Sequence, residues 1–234
     1  MSLLVPPRRP SRELLDDPSL SAEEMAGSLA DIATLDRRWG GSRILARWLL
    51  ARAASDPSPR RARVLDIGAG SGEPTRRLRR ALATGGLDAD VFALDLQWRH
   101  LAAGAGTGDP PLPSIAGDAF HLPLADASVD WVVSLLFLHH FTREELAAIF
   151  EEIGRVSRRG FALLDLRRHV LPLAFVSVAG RFLFRTRTSR LDGAASIRQA
   201  YTPPELAAIA GRGGRAAEVR QVFPYRLLVT AERR

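Results

Sequence analysis

The chain predicts a doubly wound α/β domain, a mostly parallel sheet of seven strands covered by helices on both faces. Three observations lead there. Short apolar runs alternate with helical periodicity from Arg63 onward. The first of these runs passes directly into three glycines spaced by two, as a strand does when it turns at once into a helix. Two strand-like runs around Val219 and Leu228, joined close to Pro224, end the chain and predict an antiparallel C-terminal strand.

Taken in order, residues 1–19 carry Pro6, Pro7, Pro10 and Pro18 among charges with no sustained period, which predicts a flexible N-terminal arm. From Ser21 the spacing changes: Met25, Leu29, Ile32 and Leu35 return at helical intervals after a Ser21-to-Glu24 capping-box pattern. Gly40 and Gly41 break that helix, and Ile44, Leu45, Trp48 and Leu49 describe a second one ending before a loop with Pro57 and Pro59. Residues 20–58 are thus N-terminal helices, expected to cover a substrate or cofactor. The core spans 59–234. It opens with a βαβ unit of strand Val64 to Ile67, helix Thr75 to Leu82 and strand Val91 to Leu96. A short strand near Ser114 to Ala116, a strong one from Val129 to Leu135, a helix from Arg143 to Val156 and a strand from Gly160 to Leu166 continue the alternation. The apolar run from Val170 to Phe184 begins an apolar, arginine-rich lid insertion over 170–202, and Pro203, Pro204 and Glu205 start the last helix. No internal repeat and no second domain boundary interrupts this order.

Composition narrows the function. With 234 residues and 46% hydrophobic content the chain is long enough for one sizeable core. It has no cysteine, which excludes disulfides, thiolate metal sites and cysteine nucleophiles. No run approaches the roughly 18 apolar residues of a membrane span, and Met1 to Pro10 lacks a signal-peptide core, so a soluble cytoplasmic protein is expected. The net charge of +7 comes entirely from arginine over acid, since lysine is absent. These arginines are dispersed, so charge alone names no nucleic-acid partner.

The informative stretch is Val64-Leu65-Asp66-Ile67-Gly68-Ala69-Gly70-Ser71-Gly72. Glycines let the backbone turn sharply and let a ligand approach without a Cβ in the way. Asp95, with Leu96 beside it, stands at the end of the second strand, where a carboxylate can accept from both hydroxyls of a ribose. Gly117-Asp118-Ala119 follows the third strand, and Ser134 lies near the end of the fourth. A nicotinamide dehydrogenase would share the glycines. Position 73 is Glu, however, which breaks the G-x-G-x-x-G register and repels a pyrophosphate, whereas Asp66, Glu73 and Asp95 suit a cationic cofactor.

These residues resemble the class I S-adenosylmethionine-dependent methyltransferases, a Rossmann-like family, and in particular the branch with the ubiquinone and menaquinone C-methylases. Asp66 to Gly72 is similar to the family's first motif, Asp95 to its second, Gly117 to Ala119 to its third and Asp130 to Leu138 to its fourth. The resemblance covers residues 62–166 well and the rest loosely. It implies S-adenosylmethionine as donor and S-adenosylhomocysteine as product, with Gly68, Gly70 and Gly72 along the methionine portion, Asp95 on the ribose, Asp118 and Ala119 at the adenine, and Asp66 orienting the turn or the amine. Two looser runs, Leu35 to Arg43 and Asp192 to Pro203, are similar to bacterial methyltransferases found near type III polyketide synthases, which implies a phenolic or quinone-like acceptor with an apolar tail.

Methyl transfer to an activated sulfonium carbon asks the protein mainly to align two reactants and, where needed, to remove a proton. His139 and His140 follow the fourth strand and are the candidate bases, His140 slightly ahead; the alternative is that both only pack the loop. Phe137, Arg167 and Arg168 are candidate acceptor contacts, the arginines for an acidic group. No spacing of His, Asp and Glu resembles a metal site. The apolar run after Val170 admits three roles: lid over an acceptor pocket, homodimer contact, or peripheral membrane contact. Two other functions stay open. A nucleic-acid methyltransferase fits the charge but not the Leu136-Phe137-Leu138-His139 run, where a base methylase carries Asn/Asp-Pro-Pro-aromatic, so no nucleic-acid partner is expected. The other is a donor-binding scaffold or regulator, against which the intact Asp66, Gly68, Gly70, Gly72, Asp95 and Asp118 argue.

Overall fold

The computed structural model describes residues 4–55, 61–105, 111–211 and 217–232; the Pro57 and Pro59 loop lies outside them. The strands are β1 Ala62–Ile67, β2 Ala89–Asp95, β3 Ser114–Ala116, β4 Val129–Leu135, β5 Ser157–Leu166, β6 Ala217–Val222 and β7 Arg226–Glu232. They form one sheet in the order β3-β2-β1-β4-β5-β7-β6. Neighbours are parallel as far as β5, and β7 runs antiparallel to both β5 and β6. The helices are α1 Ala22–Trp39, α2 Gly41–Ala53, α3 Glu73–Thr84, α4 Trp98–Gly104, α5 Arg143–Val156, α6 Val170–Leu183, α7 Arg187–Gln199 and α8 Pro203–Ala210. The sequence pattern did not single out α4 or α7: α4 is only two turns long, and α7 buries mostly polar residues.

Residue alternation along the strands divides the core. Val64, Trp131, Val133 and Leu164 pack under Leu45, Leu49, Leu78 and Leu82 of α2 and α3. Leu65, Ile67, Val132 and Leu163 point the other way, against Leu146, Ile149 and Ile153 of α5 and Leu206 and Ile209 of α8. Both faces are therefore apolar, as a parallel sheet covered twice requires. Because β2 lies on one side of β1 and β4 on the other, winding reverses there, and a crevice opens at the carboxyl ends of these strands.

Helix ends are set locally. Ser21 Oγ accepts from Glu24 N, and α1 stops at Gly40, whose φ of 69° is left-handed. Asp36, near the end of α1, caps the next helix by accepting from Ser42 N at 2.7 Å and Ser42 Oγ at 2.8 Å, and it is paired with Arg77. The joint between α1 and α2 is thereby pinned to α3.

The N-terminal arm departs from expectation. From Leu4 onward it is docked across the molecule and not loosely held. Arg8 donates to the Gln199 and Phe141 carbonyls at 2.6 and 2.7 Å and lies over the Tyr201 ring. Leu14 N and Leu15 N each donate to the Asp192 carboxylate at 2.9 Å. Glu13 is buried. The physical reason is that the arm's polar atoms find partners in α7 and in the loop after β4, more than a hundred residues away, which no local period can announce. Residues 1–3 lie outside the described part.

Candidate functional site

The carboxyl ends of β1, β2 and β4 open into one cavity of about 1140 Å³. Its floor is the turn after β1. Gly68 and Gly70 adopt φ of 67° and 56°, which only glycine takes without strain, and a Cβ at Gly68 would collide with the Phe137 ring. Gly70 N donates to Asp95 Oδ2 at 2.7 Å and Gln97 N to Asp95 Oδ1 at 2.8 Å, so Asp95 ties the two turns together. A carboxylate has about four lone-pair sites, and these bonds use two. Leu96, Asp118, Ala119 and Phe120 continue the same wall, the Asp118 carboxylate accepting from Phe120 N at 2.9 Å.

Asp66 is buried beneath this turn. Its Oδ2 accepts from Thr75 Oγ1 at 2.6 Å, but Oδ1 has no hydrogen-bond partner. Burial pushes its carboxyl up to about 7; the Thr75 hydroxyl works against that shift, and the charges of Asp95 and Asp36 add to it. A buried oxygen without a donor, in a cavity wall, under a glycine turn that leaves the backbone bare, fits the ammonium and ribose of the expected S-adenosylmethionine. In this arrangement Asp66 and the Gly68–Ser71 backbone would hold the amino-acid end, and Asp95 the ribose.

The opposite wall comes from distant segments. The arm supplies Glu13 and Asp16, α1 supplies Leu29, Ile32 and Trp39, and α6 supplies Leu171, Phe175 and Val176. After β4, Leu136 takes φ of 58°, a strained value for a residue with a branched side chain, and the chain then makes a short 3₁₀ turn over Leu138–His140. Burying Leu138 in that turn sends the two histidines to different environments. His139 is enclosed: its backbone N and its Nδ1 each lie 2.7 Å from the Asp165 carboxylate, and Nε2 lies 3.3 Å from Glu13 Oε1. Burial opposes charge on this ring, yet Asp165 first and Glu13 second outweigh it and push the imidazole up to about 10. Glu13 answers in kind. Burial would raise it, but the hydrogen bond and charge of His139, the charge of His140 and the Ser196 hydroxyl hold it down to about 2.

His140 stacks on His139 at 4.4 Å and remains partly open to the cavity, with Nδ1 3.4 Å from Asp16 Oδ2 and Nε2 3.9 Å from Glu13 Oε2. Ligand atoms of Glu13, His139 and His140 converge closely enough to hold a metal ion, a cluster that sequence spacing did not show because Glu13 comes from the arm. Glu13 Oε1, however, already receives Ser196 Oγ at 2.5 Å and Gln199 Nε2 at 2.7 Å.

Several expected contacts do not reach the cavity. Gly72 caps α3 and faces Leu112, and it does not line the cavity. Ser134 is buried within the sheet and does not line the cavity. Arg168 is buried too, donating to the Pro6 and Ala200 carbonyls and to both oxygens of Glu205; it staples the arm and α8 and offers no hand to an acceptor. Arg167 and Phe137 do line the cavity, although Arg167 also donates to Gln221. His139 is enclosed, with Nδ1 on the Asp165 carboxylate and Nε2 facing Glu13, so neither ring nitrogen is turned to an acceptor in the cavity. Sequence reasoning missed Glu13, Asp16, Trp39, His100, Tyr225 and Arg226 as cavity residues. His100, five positions beyond Asp95 and 3.7 Å from it, was the most findable of these; the others depend on tertiary contact.

Comparison with known proteins bears on this geometry. A family model described as a methyltransferase domain matches residues 64–160. Demethylmenaquinone methyltransferase of Roseiflexus castenholzii is 33% identical over 128 residues, 54% of this chain and 52% of that protein. The biotin biosynthesis bifunctional protein BioHC of Cellvibrio japonicus is 35% identical over 134 residues, 54% of this chain and 26% of that protein. The chain thus spans about half the length of one curated relative and about a quarter of the other. The structure of the plantazolicin methyltransferase BpumL in complex with S-adenosylhomocysteine superposes with a TM-score of 0.64 over 90% of this chain and 96% of that one, at 13% identity, a likeness of fold.

Proposed function

We propose, from the premise that residues 64–160 are a methyltransferase domain of the class I, S-adenosylmethionine-dependent type, that the protein methylates a small acceptor with an apolar body and an ionisable ring hydroxyl or enol, of the phenolic or quinone-like kind. The observation that carries this reading is that one continuous cavity joins the glycine turn to His140. Its volume of about 1140 Å³ exceeds the roughly 300–1,000 Å³ of an ordinary single-ligand pocket, so donor and acceptor have room together.

S-adenosylmethionine supplies the electrophilic methyl group when bound. The chain's own residues do the rest. Asp66, Gly68, Gly70 and Asp95 fix the donor's ends. Trp39, Phe137, Phe175 and Val176 offer an apolar bed for the acceptor and exclude water from it. His140 takes up the acceptor's proton, oriented by Asp16 at Nδ1, while the His139 imidazolium bridges the Glu13 and Asp165 carboxylates beneath it. Arg167 stands in the same wall for an acidic substituent. A nucleic-acid acceptor is disfavoured by the carboxylates of Glu13, Asp16, Asp31 and Asp36, all of which line the cavity and would repel phosphates.

The test is methyl transfer from labelled donor to a panel of tailed phenols, enols and short RNAs. Phenol-class turnover is expected, with kcat in His140→Ala lower by about a hundredfold and donor affinity unchanged. Labelled RNA, or a His140→Ala enzyme with wild-type kcat at every pH, would count against it.

A further inference from the structure

Helix α6 is apolar on two sides. Its inner side carries Pro172 and Val176 toward the cavity. Its outer side carries a second stripe, Leu171, Phe175, Val178 and Phe182, which are 54, 46, 72 and 78% exposed; Leu171 and Phe175 also line the rim of the cavity, and Val178 and Phe182 do not. The spacing of four, three and four residues places them along one face of a helix of fourteen residues, about 21 Å long. Leu4 and Phe223 are exposed nearby: Leu4 O accepts from Val170 N at the start of α6, and Phe223 is two residues from Tyr225, whose ring packs on His169. Soluble surfaces seldom present so continuous an apolar strip.

The charges beside the strip have one sign. Between Asp165 and Asp192 there is no acidic residue, while Arg181, Arg185, Arg187 and Arg190 follow the apolar stripe. All four are exposed, and none forms an ion pair among the described residues. An in-plane helix with an apolar face and an arginine fringe is the pattern that settles at the boundary of an anionic bilayer. A second copy of the chain fits less well, because a two-fold contact would set the four arginines against their own images.

We propose that the outer face of α6, with Leu4 and Phe223, docks the protein onto an anionic lipid surface, and that apolar acceptors pass from the lipid to the cavity beside this helix. The docking stands without the methyltransferase reading; the delivery role rests on it. Leu171 and Phe175 belong to both the exposed strip and the cavity wall, so the two compartments share a single helix.

The experiment is flotation of the full chain with vesicles of phosphatidylcholine alone and with vesicles that also contain phosphatidylglycerol. Retention on the anionic vesicles is expected to be at least about tenfold stronger and to fall as salt is raised. Val178→Ser with Phe182→Ser, and separately Arg181→Gln with Arg185→Gln, should each lower that retention by about tenfold. Binding of S-adenosylhomocysteine by both variants shows that they are folded, and the wild-type comparison of the two vesicle types decides even where a variant is not. Equal retention on both vesicles, retention on neither, or a concentration-dependent dimer that Phe182→Ser dissociates would overturn the proposal.

Discussion

The two walls of the cavity are built by different means. The floor under the glycine turn is local: Asp66, Gly68, Gly70 and Thr75 lie within ten residues, and only Asp95 is brought from the next strand. The opposite wall is assembled over long distances, with Glu13 of the arm meeting His139, Ser196 and Gln199, and Asp31 of α1 accepting from Arg185 N and Thr186 N before α7. Backbone conformation holds the first wall; buried charge pairs hold the second. A wall of the first kind forms as soon as the sheet forms, whereas one of the second kind exists only while its distant carboxylates stay paired. The contrast separates a part set by adjacent residues from a part set by tertiary contact.

Four measurements can break or sharpen that contrast. The largest effect is expected from His139→Ala, which leaves Asp165 and Glu13 buried without their cation and should lower unfolding free energy by about 3–5 kcal/mol in urea titration. S-adenosylhomocysteine affinity of the folded fraction should hardly change, and an equal loss of both would show that the walls are not independent. Next, Asp95→Ala should weaken that affinity by about a hundredfold, roughly 3 kcal/mol, in calorimetric titration; unchanged affinity would remove Asp95 from the ribose and from the contrast.

The third concerns pH. Asp66 is raised to about 7, so the carboxylate proposed to receive the donor's ammonium is increasingly protonated below that point. Affinity for the product should therefore fall by about tenfold per pH unit below about 7 and level off above it, a dependence that Asp66→Asn abolishes. The long-range wall responds oppositely. His139 is raised to about 10, so its stabilisation is complete below about 6.5 and is lost as pH climbs through about 10; Glu13, lowered to about 2, contributes above about 4.5 and fails only as pH falls through about 2. Protection of the amides of residues 8–17 against hydrogen exchange, taken relative to the intrinsic base-catalysed rate, should accordingly fall toward high pH while that of the glycine turn does not. The smallest effect belongs to Thr142→Ala, which removes the capping box of α5 and should cost about 1 kcal/mol of stability while sparing both walls.

This division also explains what could be read from the chain alone. The succession of strands along the chain, the antiparallel C-terminal strand and the positions of Asp66, Gly68, Gly70, Asp95 and Asp118 at strand ends follow from spacing, because strand period and strand-to-helix turns are local properties. Gly72 was assigned to the cofactor for the same reason, yet it does not line the cavity, and its glycine serves the left-handed cap and the approach of Leu112. Arg168 looked like a free cation beside Arg167, yet successive residues leaving a strand point apart, and it was drawn inward to Glu205. The arm was the largest misreading. Glu13-Leu14-Leu15 is too short to show a period, and its partners lie almost two hundred residues on, where only the folded chain brings them.

The single cavity has one more consequence. Because the glycine turn and the apolar wall share one chamber, a molecule that joins an adenosyl group to an apolar aromatic ring through a short tether would occupy both regions at once. Its second half would bind at the effective concentration the tether sets, so its affinity should exceed that of either fragment without any new contact. The same tethered molecule would stand as a ruler, its best length reporting the distance across which the two reactants meet.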